Sequence, residues 1–313
     1  MKILKELDLN NVVFIDIETV NAVKELQIAT PLWDAWKYKL NFGRDPLLKR
    51  EPGEAGLDRF NEKAKELYNS DAALYPEFGK IVCITIGKIK DDGLKLKSYV
   101  GDDEKVLLAE FCNTLTNMIA ANKKTVLCGH AIKGFDIPWL MRRCIVNQVE
   151  LPTLLDTAHL KPWETTAIDT MDLWKGTSFN GASLIAITTA LGLHNPKDEL
   201  AGYQTNEVYY NKQNGLKLIQ AYCEKDVTAV ANIVRKCRYE PVVEVDNLDA
   251  FKVRPVSEGD AFKVKQVGVL NKVFNTGSLT PEDENKIMTN YSKLNAEEKV
   301  VAKDILDLVN KKA

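Results

Sequence analysis

Apolar positions along this chain follow two periods. Over residues 12–20, VVFIDIETV, β-branched side chains run almost unbroken and predict a buried strand over 12–17. KIVCITIGKI (80–89) and LKLKSYV (94–100) predict a hairpin turning at Asp91, Asp92 and Gly93. From 103 to 121 the period lengthens: Val106, Leu107, Phe111, Leu115, Met118 and Ile119 share one face of a predicted helix. TVLCG (125–129) reads as a strand, 137–147 as a helix and IDTMDLW (168–174) as a strand. Helices are predicted over 182–192 and 214–237. This order predicts an α/β domain built on a mixed sheet.

Two stretches fall outside that frame. Residues 21–77 interrupt the first two strands as an insert. Thr30 is placed to cap a helix whose first residue is Pro31, and a second helix is expected over 57–68. The tail, 241–313, holds the near-repeat AFKVRPV (250–256) and AFKVKQV (261–267), which predicts a small hairpin. Helices start well at Thr280 and at Asn295, each with an apolar stripe. The expected division is therefore a domain over 1–240 and an appendage of hairpin plus paired helices over 241–313.

Composition narrows the chemistry. A chain of 313 residues, 45% hydrophobic, can bury the core of one large domain with an appendage. With a net charge of −2, no polyanionic partner is announced, so nucleic acid would need local basic groups or metal ions. Six cysteines (83, 112, 128, 144, 223, 237) show no CxxC pair, and with three histidines they argue against structural zinc. They read as the reduced thiols of a cytoplasmic protein. The start, MKILKELDLNN, has no long apolar run, and the longest uncharged apolar stretch, near 182–194, is too short to span a bilayer. No GxxxxGK[ST] loop is present, which disfavours an ATP-driven motor.

Carboxylates inside the first strand are the anomaly. Asp16 and Glu18 are two apart and project from one face. Asp136 follows a strand at the mouth of a helix, where it is also a natural N-cap. Tyr222 and Asp226 are four apart on one helix face, beside the apolar stripe Val227, Val230, Ala231 and Val234. Four gathered carboxylates repel, and hard oxygen donors of this kind select Mg²⁺ or Mn²⁺. Two such ions clamp both oxygens of a phosphodiester under displacement.

FIDIET, GFDIPWL and YCEKDV, in this order, resemble the three motifs of the DEDD superfamily of 3′–5′ exonucleases. Tyr-x-x-x-Asp in the third motif places the chain with the tyrosine branch, similar to standalone family-B DNA polymerase-like proofreading exonucleases of bacteria and their viruses. The resemblance covers roughly residues 10–238. It implies a ribonuclease H-like mixed five-stranded sheet flanked by helices. It also implies a catalytic set of Asp16, Glu18, Asp136, Tyr222 and Asp226, with the four acids holding two Mg²⁺ or Mn²⁺ ions. Asp16, Glu18 and Asp226 would hold one ion, and Asp16 and Asp136 the other. Tyr222 would orient the attacking water, and the product would be a nucleoside 5′-monophosphate. Family members usually carry Asn where this chain has Ala131, a departure that bears on the grip on substrate.

Candidate substrate contacts are Phe135 and His130 around the second motif, Arg142 on the helix after it, and Trp33 and Trp36 in the insert. For Trp33 and Trp36 two readings stand: stacking on a single strand, interleaved with Lys37, Lys39 and Arg44, or packing in a core. Arg142 and its neighbour Arg143 are either solvated or reach backbone phosphates. The expected partner is the 3′ end of single-stranded DNA, in replication or repair within a bacterial cell or a virus-infected one. For the tail two readings stand: a docking surface for a separate polymerase or replisome protein, or an accessory cap packed on the nuclease domain. An exoribonuclease, or a catalytically weak scaffold of a replication complex, are the alternatives.

Overall fold

The computed structural model describes residues 2–44, 53–90, 93–161, 164–193 and 205–245. The chain divides between Asn247 and Leu248. The hairpin and helices expected of the tail lie outside the described residues, as do turn residues 91–92.

Strands β1 (Val12–Asn21), β2 (Gly79–Lys90), β3 (Gly93–Val100), β4 (Val126–Gly129), β5 (Ile168–Asp169) and β6 (Glu244–Val245) form one mixed sheet in the order β5-β4-β1-β2-β3-β6. The five expected strands are present, and the two-residue β6 adds a short parallel pair at Gly93 and Leu94. β1 is central, antiparallel to β2 and parallel to β4. Pairing with β4 stops at Phe14, so the second half of β1 is open on that side.

Helices cover both faces. Val13, Ile15 and Ile17 pack with α4 (Glu104–Ala121) and α5 (Asp136–Asn147). On the other face Val12 and Phe14 pack with α7 (Leu184–Ala190) and α9 (Gly215–Cys237), the long helix whose Val227, Val230, Ala231 and Val234 are fully buried. Alternation along β1 therefore turns Asp16 and Glu18 toward α9. The register to β2 slips once: Glu18 pairs with Cys83 but Thr19 with Ile81, leaving Val82 as a bulge residue. Val82 and Cys83 consequently join one cluster with Ile219, Tyr222 and Cys223 of α9.

Residues 168–174 are a correction. Only Ile168–Asp169 is strand; Thr170–Lys175 is a helix, α6. Asp169 ends the strand by accepting a hydrogen bond from Met171 N at 2.9 Å, which caps that helix. Helix α8 (Thr205–Asn211) was not legible as a separate element.

The insert builds its own core. Thr30 caps α2 (Pro31–Lys39), accepting from Trp33 N, and the second helix, α3, runs over Glu54–Asp71. Trp33 and Trp36 are 2% and 1% exposed and pack with Leu26, Phe60, Ala64, Tyr68 and Phe78. Trp36 Nε1 donates to Ala64 O at 2.9 Å. Both rings are therefore core residues, and neither offers a face to a nucleic-acid base. The excursion leaves and returns at one point, where Ala22 N donates to Phe78 O at 2.9 Å. Gly79 follows; a Cβ there would lie 2.8 Å from the Trp139 ring and 2.9 Å from Val20 O, so only glycine fits the re-entry.

Candidate active site

Three elements bring the acids together. β1 supplies Asp16 and Glu18, the first turn of α5 supplies Asp136, and α9 supplies Asp226 with Tyr222 one turn earlier. Asp16 is half-buried, and Glu18, Asp136, Tyr222 and Asp226 are buried. Burial drives the Asp16 carboxyl well above the usual carboxylate range, and the nearby charges of Asp226, Glu18 and Asp136 drive it further. Glu18, Asp136 and Asp226 thus all lie close enough to act on Asp16. Asp136 is pushed up to about 7, mainly by burial, with Asp169 and Asp226 adding to it; backbone hydrogen bonds at Asp136 itself and at Ile17 pull the other way. That contact at Ile17 uses the part of β1 left open beyond Phe14.

Asp136 is the first residue of α5 and not its cap. The capping position is Phe135, which gives no side-chain bond. The carboxyl instead sits at the positive end of the helix and faces the site. Its approach is set by Asp169, whose carboxylate accepts from Ala131 N at 2.9 Å and Lys133 N at 3.3 Å. Ala131 is in the left-handed region, φ 57°. That conformation suits Asn better than Ala.

The Tyr222 hydroxyl is raised far above its ordinary value, first by burial and then by Asp226, Glu18 and Asp16, and it hydrogen-bonds Asp226. These surroundings hold the hydroxyl in its protonated form.

Two contacts were not foreseen. Cys223 Sγ donates to Asp16 O at 3.3 Å and to Asp16 Oδ2 at 3.4 Å. Thr205 Oγ1 donates to Glu18 Oε2 at 3.4 Å. Nothing in a lone thiol or a lone hydroxyl distinguishes such roles in a sequence. Asp16, Glu18 and Cys223 each offer a donor atom within 4.8 Å of the others. Burial, followed by the neighbouring Cys83 thiol, holds the Cys223 thiol well above its usual range, so it serves Asp16 as a hydrogen-bond donor. The remaining donors are hard carboxylate oxygens that raise one another's proton affinity, a set that fits a divalent cation such as Mg²⁺ or Mn²⁺.

Of the candidate substrate contacts, His130 lies at the end of β4 with Nδ1 3.0 Å from Thr170 Oγ1. Phe135 is half-buried against Trp139, ring centroids 5.8 Å apart. Arg142 is exposed, 3.8 Å from Glu77. Arg143 is a structural clamp: its Nε and Nη2 bind both oxygens of buried Glu104 at 2.9 and 2.6 Å, and its Nη1 donates to Pro76 O. Trp33 and Trp36 stay in the core of the insert, away from this set.

The family model RNase_H_2, described as RNase_H superfamily, matches residues 71–238. The match takes in Asp136, Tyr222 and Asp226 and starts after β1. No curated protein matches the sequence. Among solved structures, the family B DNA polymerase from the hyperthermophilic archaeon Pyrobaculum calidifontis aligns at 14% identity with a TM-score of 0.44, over 72% of this chain and 24% of that one. Among the described residues, no helix is long and apolar enough to cross a membrane.

Proposed function

The chain belongs to the RNase_H superfamily, and from that premise we propose that it is a metal-dependent 3′–5′ exonuclease. It hydrolyses terminal phosphodiester bonds of single-stranded DNA and releases nucleoside 5′-monophosphates, in replication or repair. One observation carries most of the weight: the Asp16 carboxyl is perturbed jointly by Asp226, Glu18 and Asp136, acids from three separate elements. Such a gathering destabilises the fold unless cations join it.

Asp16, Glu18, Asp136 and Asp226 would hold two Mg²⁺ or Mn²⁺ ions. When bound, such ions supply a water of lowered pKa and stabilise charge on the attacking and leaving oxygens. Cys223 fixes the orientation of Asp16, and Thr205 that of Glu18. Tyr222, protonated, orients the attacking water by a hydrogen bond, while its contact to Asp226 fixes the ring. A partner polymerase on a separate chain is compatible with this activity.

The test uses the full chain with 3′- and 5′-labelled single strands of DNA and of RNA, with Mg²⁺ and with chelator. Stepwise loss from the 3′ end of DNA, abolished by chelator and by Asp226→Asn, is the expected result. Cleavage in chelator, or robust turnover by the Asp226→Asn variant, overturns the assignment. Faster loss of RNA makes the protein an exoribonuclease.

A further inference from the structure

The β2–β3 hairpin carries four lysines for which the acidic site has no use. Lys88 is paired directly with Lys95, and Ile86 with Lys97. Because alternate residues share a face, Lys88, Lys90, Lys95 and Lys97 project from the side that presents Ile84, Ile86 and Tyr99 to α4. Asp16 pairs with Thr85 and belongs to the opposite side. Lys88 and Lys90 are three and five residues past Thr85, roughly 10 and 17 Å along the strand.

Lys90, Lys95 and Lys97 are exposed and Lys88 half-buried. With Asn10, Ile89 and Met118 they border a groove of about 470 Å³. Like charges directly opposite one another weaken a strand pair. Among the described residues none of the four makes an ion pair. Lys97 Nζ donates to Thr114 Oγ1 at 3.3 Å and lies 4.6 Å from the Tyr99 ring centroid, contacts that leave its charge uncompensated. Counting Asp91 and Asp92, residues 88–97 still carry a net charge of +2 in a chain of net charge −2, and such clustering favours an anionic ligand.

We propose that this groove is a second binding site, for the phosphate backbone of a nucleic-acid strand whose end occupies the acidic site, a proposal that rests on the nuclease function set out above. The lining is ammonium groups, Asn10 and aliphatic side chains, so it reads charge and not base identity. It lengthens the footprint beyond what the acidic site holds. Without such a ligand, the lysines would serve only to keep β3 from pairing with other chains.

The experiment compares the full chain with its K88Q/K90Q/K95Q/K97Q variant, binding fluorescent dT4 and dT20 in chelator over a range of salt. The unsubstituted protein is expected to prefer dT20. The variant should lose about tenfold or more of dT20 affinity, and its salt slope should shrink by about 2 to 3, near 0.7 per lost phosphate contact. Its affinity for dT4, and its Mg²⁺-dependent hydrolysis of dT4, should not change. The fourfold Lys→Arg variant should behave as the parent, and the milder K90Q/K95Q pair should show about half the change in slope. Unchanged dT20 affinity and slope, with increased self-association in sedimentation, overturns the proposal. A parent that binds dT20 in the groove but fails to hydrolyse dT4 refutes the nuclease function and spares the groove. Hydrolysis of dT4 with no effect of the Gln substitutions does the reverse.

Discussion

Cys223 Sγ lies 3.4 Å from Asp16 Oδ2 and donates to it. The thiol's single proton is shared with the Asp16 carbonyl, so one buried donor bridges the backbone and the carboxylate at the centre of the acidic set. Cys223→Ser keeps a donor and is expected to hold Mn²⁺ almost as tightly as the parent. Cys223→Ala removes the donor and leaves a small cavity, costing about 1–3 kcal/mol of stability. It should also weaken Mn²⁺ binding, read by titration calorimetry. Equal Mn²⁺ affinity in both variants would show that the thiol does not position Asp16.

The acidic set gives the metal-free protein an inverted pH dependence. Asp136 binds its proton more tightly folded, up to about 7, than in the unfolded chain, and Asp16 is raised as well. Between the ordinary carboxyl value of about 4 and pH 7 the folded state therefore holds more protons. Its stability is fullest below that window and declines as pH rises through it. Denaturation midpoints in chelator should be lower at pH 8 than at pH 5, and Mn²⁺ should restore the higher one. Asp136→Asn should flatten the chelator profile; an unaltered slope would remove Asp136 as its source.

Tyr222 hydrogen-bonds Asp226 from within the same helix. Tyr222→Phe should leave Mn²⁺ affinity and folding intact and slow hydrolysis about tenfold to a hundredfold. A matching loss of metal affinity would mean that the ring supports the carboxylates and not the water.

Ala131 holds φ 57° with its amide bound to Asp169. Ala131→Asn and Ala131→Gly relieve the left-handed strain and should each stabilise the fold by about 0.5–1 kcal/mol in urea titrations. Destabilisation by both would contradict the backbone account of this position.

Arg143 and Glu104 are 12% and 7% exposed and joined by two bonds, with Ile81 N and Asn147 Nδ2 completing the carboxylate. Arg143→Met strands a buried charge and should cost about 3–5 kcal/mol. Replacing both partners by apolar residues should recover much of it. Chemical denaturation of the single and double variants separates the two effects.

How far the site could be read depended on whether a residue violated its local pattern. Asp16 and Glu18 stand out because carboxylates are costly in a run such as VVFIDIETV, and Tyr222 and Asp226 because their spacing puts them on one helix face beside an apolar stripe. Cys223 and Thr205 break no pattern, since a thiol and a threonine suit a core equally well, and only their placement against Asp16 and Glu18 reveals them. IDTMDLW alternates like a strand, but Asp169 accepts from Met171 N, caps a helix there and ends the strand after two residues. Trp33 and Trp36 sit among lysines in the sequence, yet their helix turns them inward. Arg143 reads like Arg142, and its buried partner Glu104 is 39 residues away.

The closure of the insert at Ala22 and Phe78 bears on how the molecule assembles. The two central strands beside the acidic cluster are neighbours in the sheet yet separated by a long excursion, and joining the ends of a flexible connection of that length carries an entropic penalty. With its two ends bonded at Ala22 and Phe78 and its helices α2 and α3 packed on a shared tryptophan core, the insert holds the strand ends close together, as a short connection would. The nascent chain can then zip these strands almost as if a tight turn joined them.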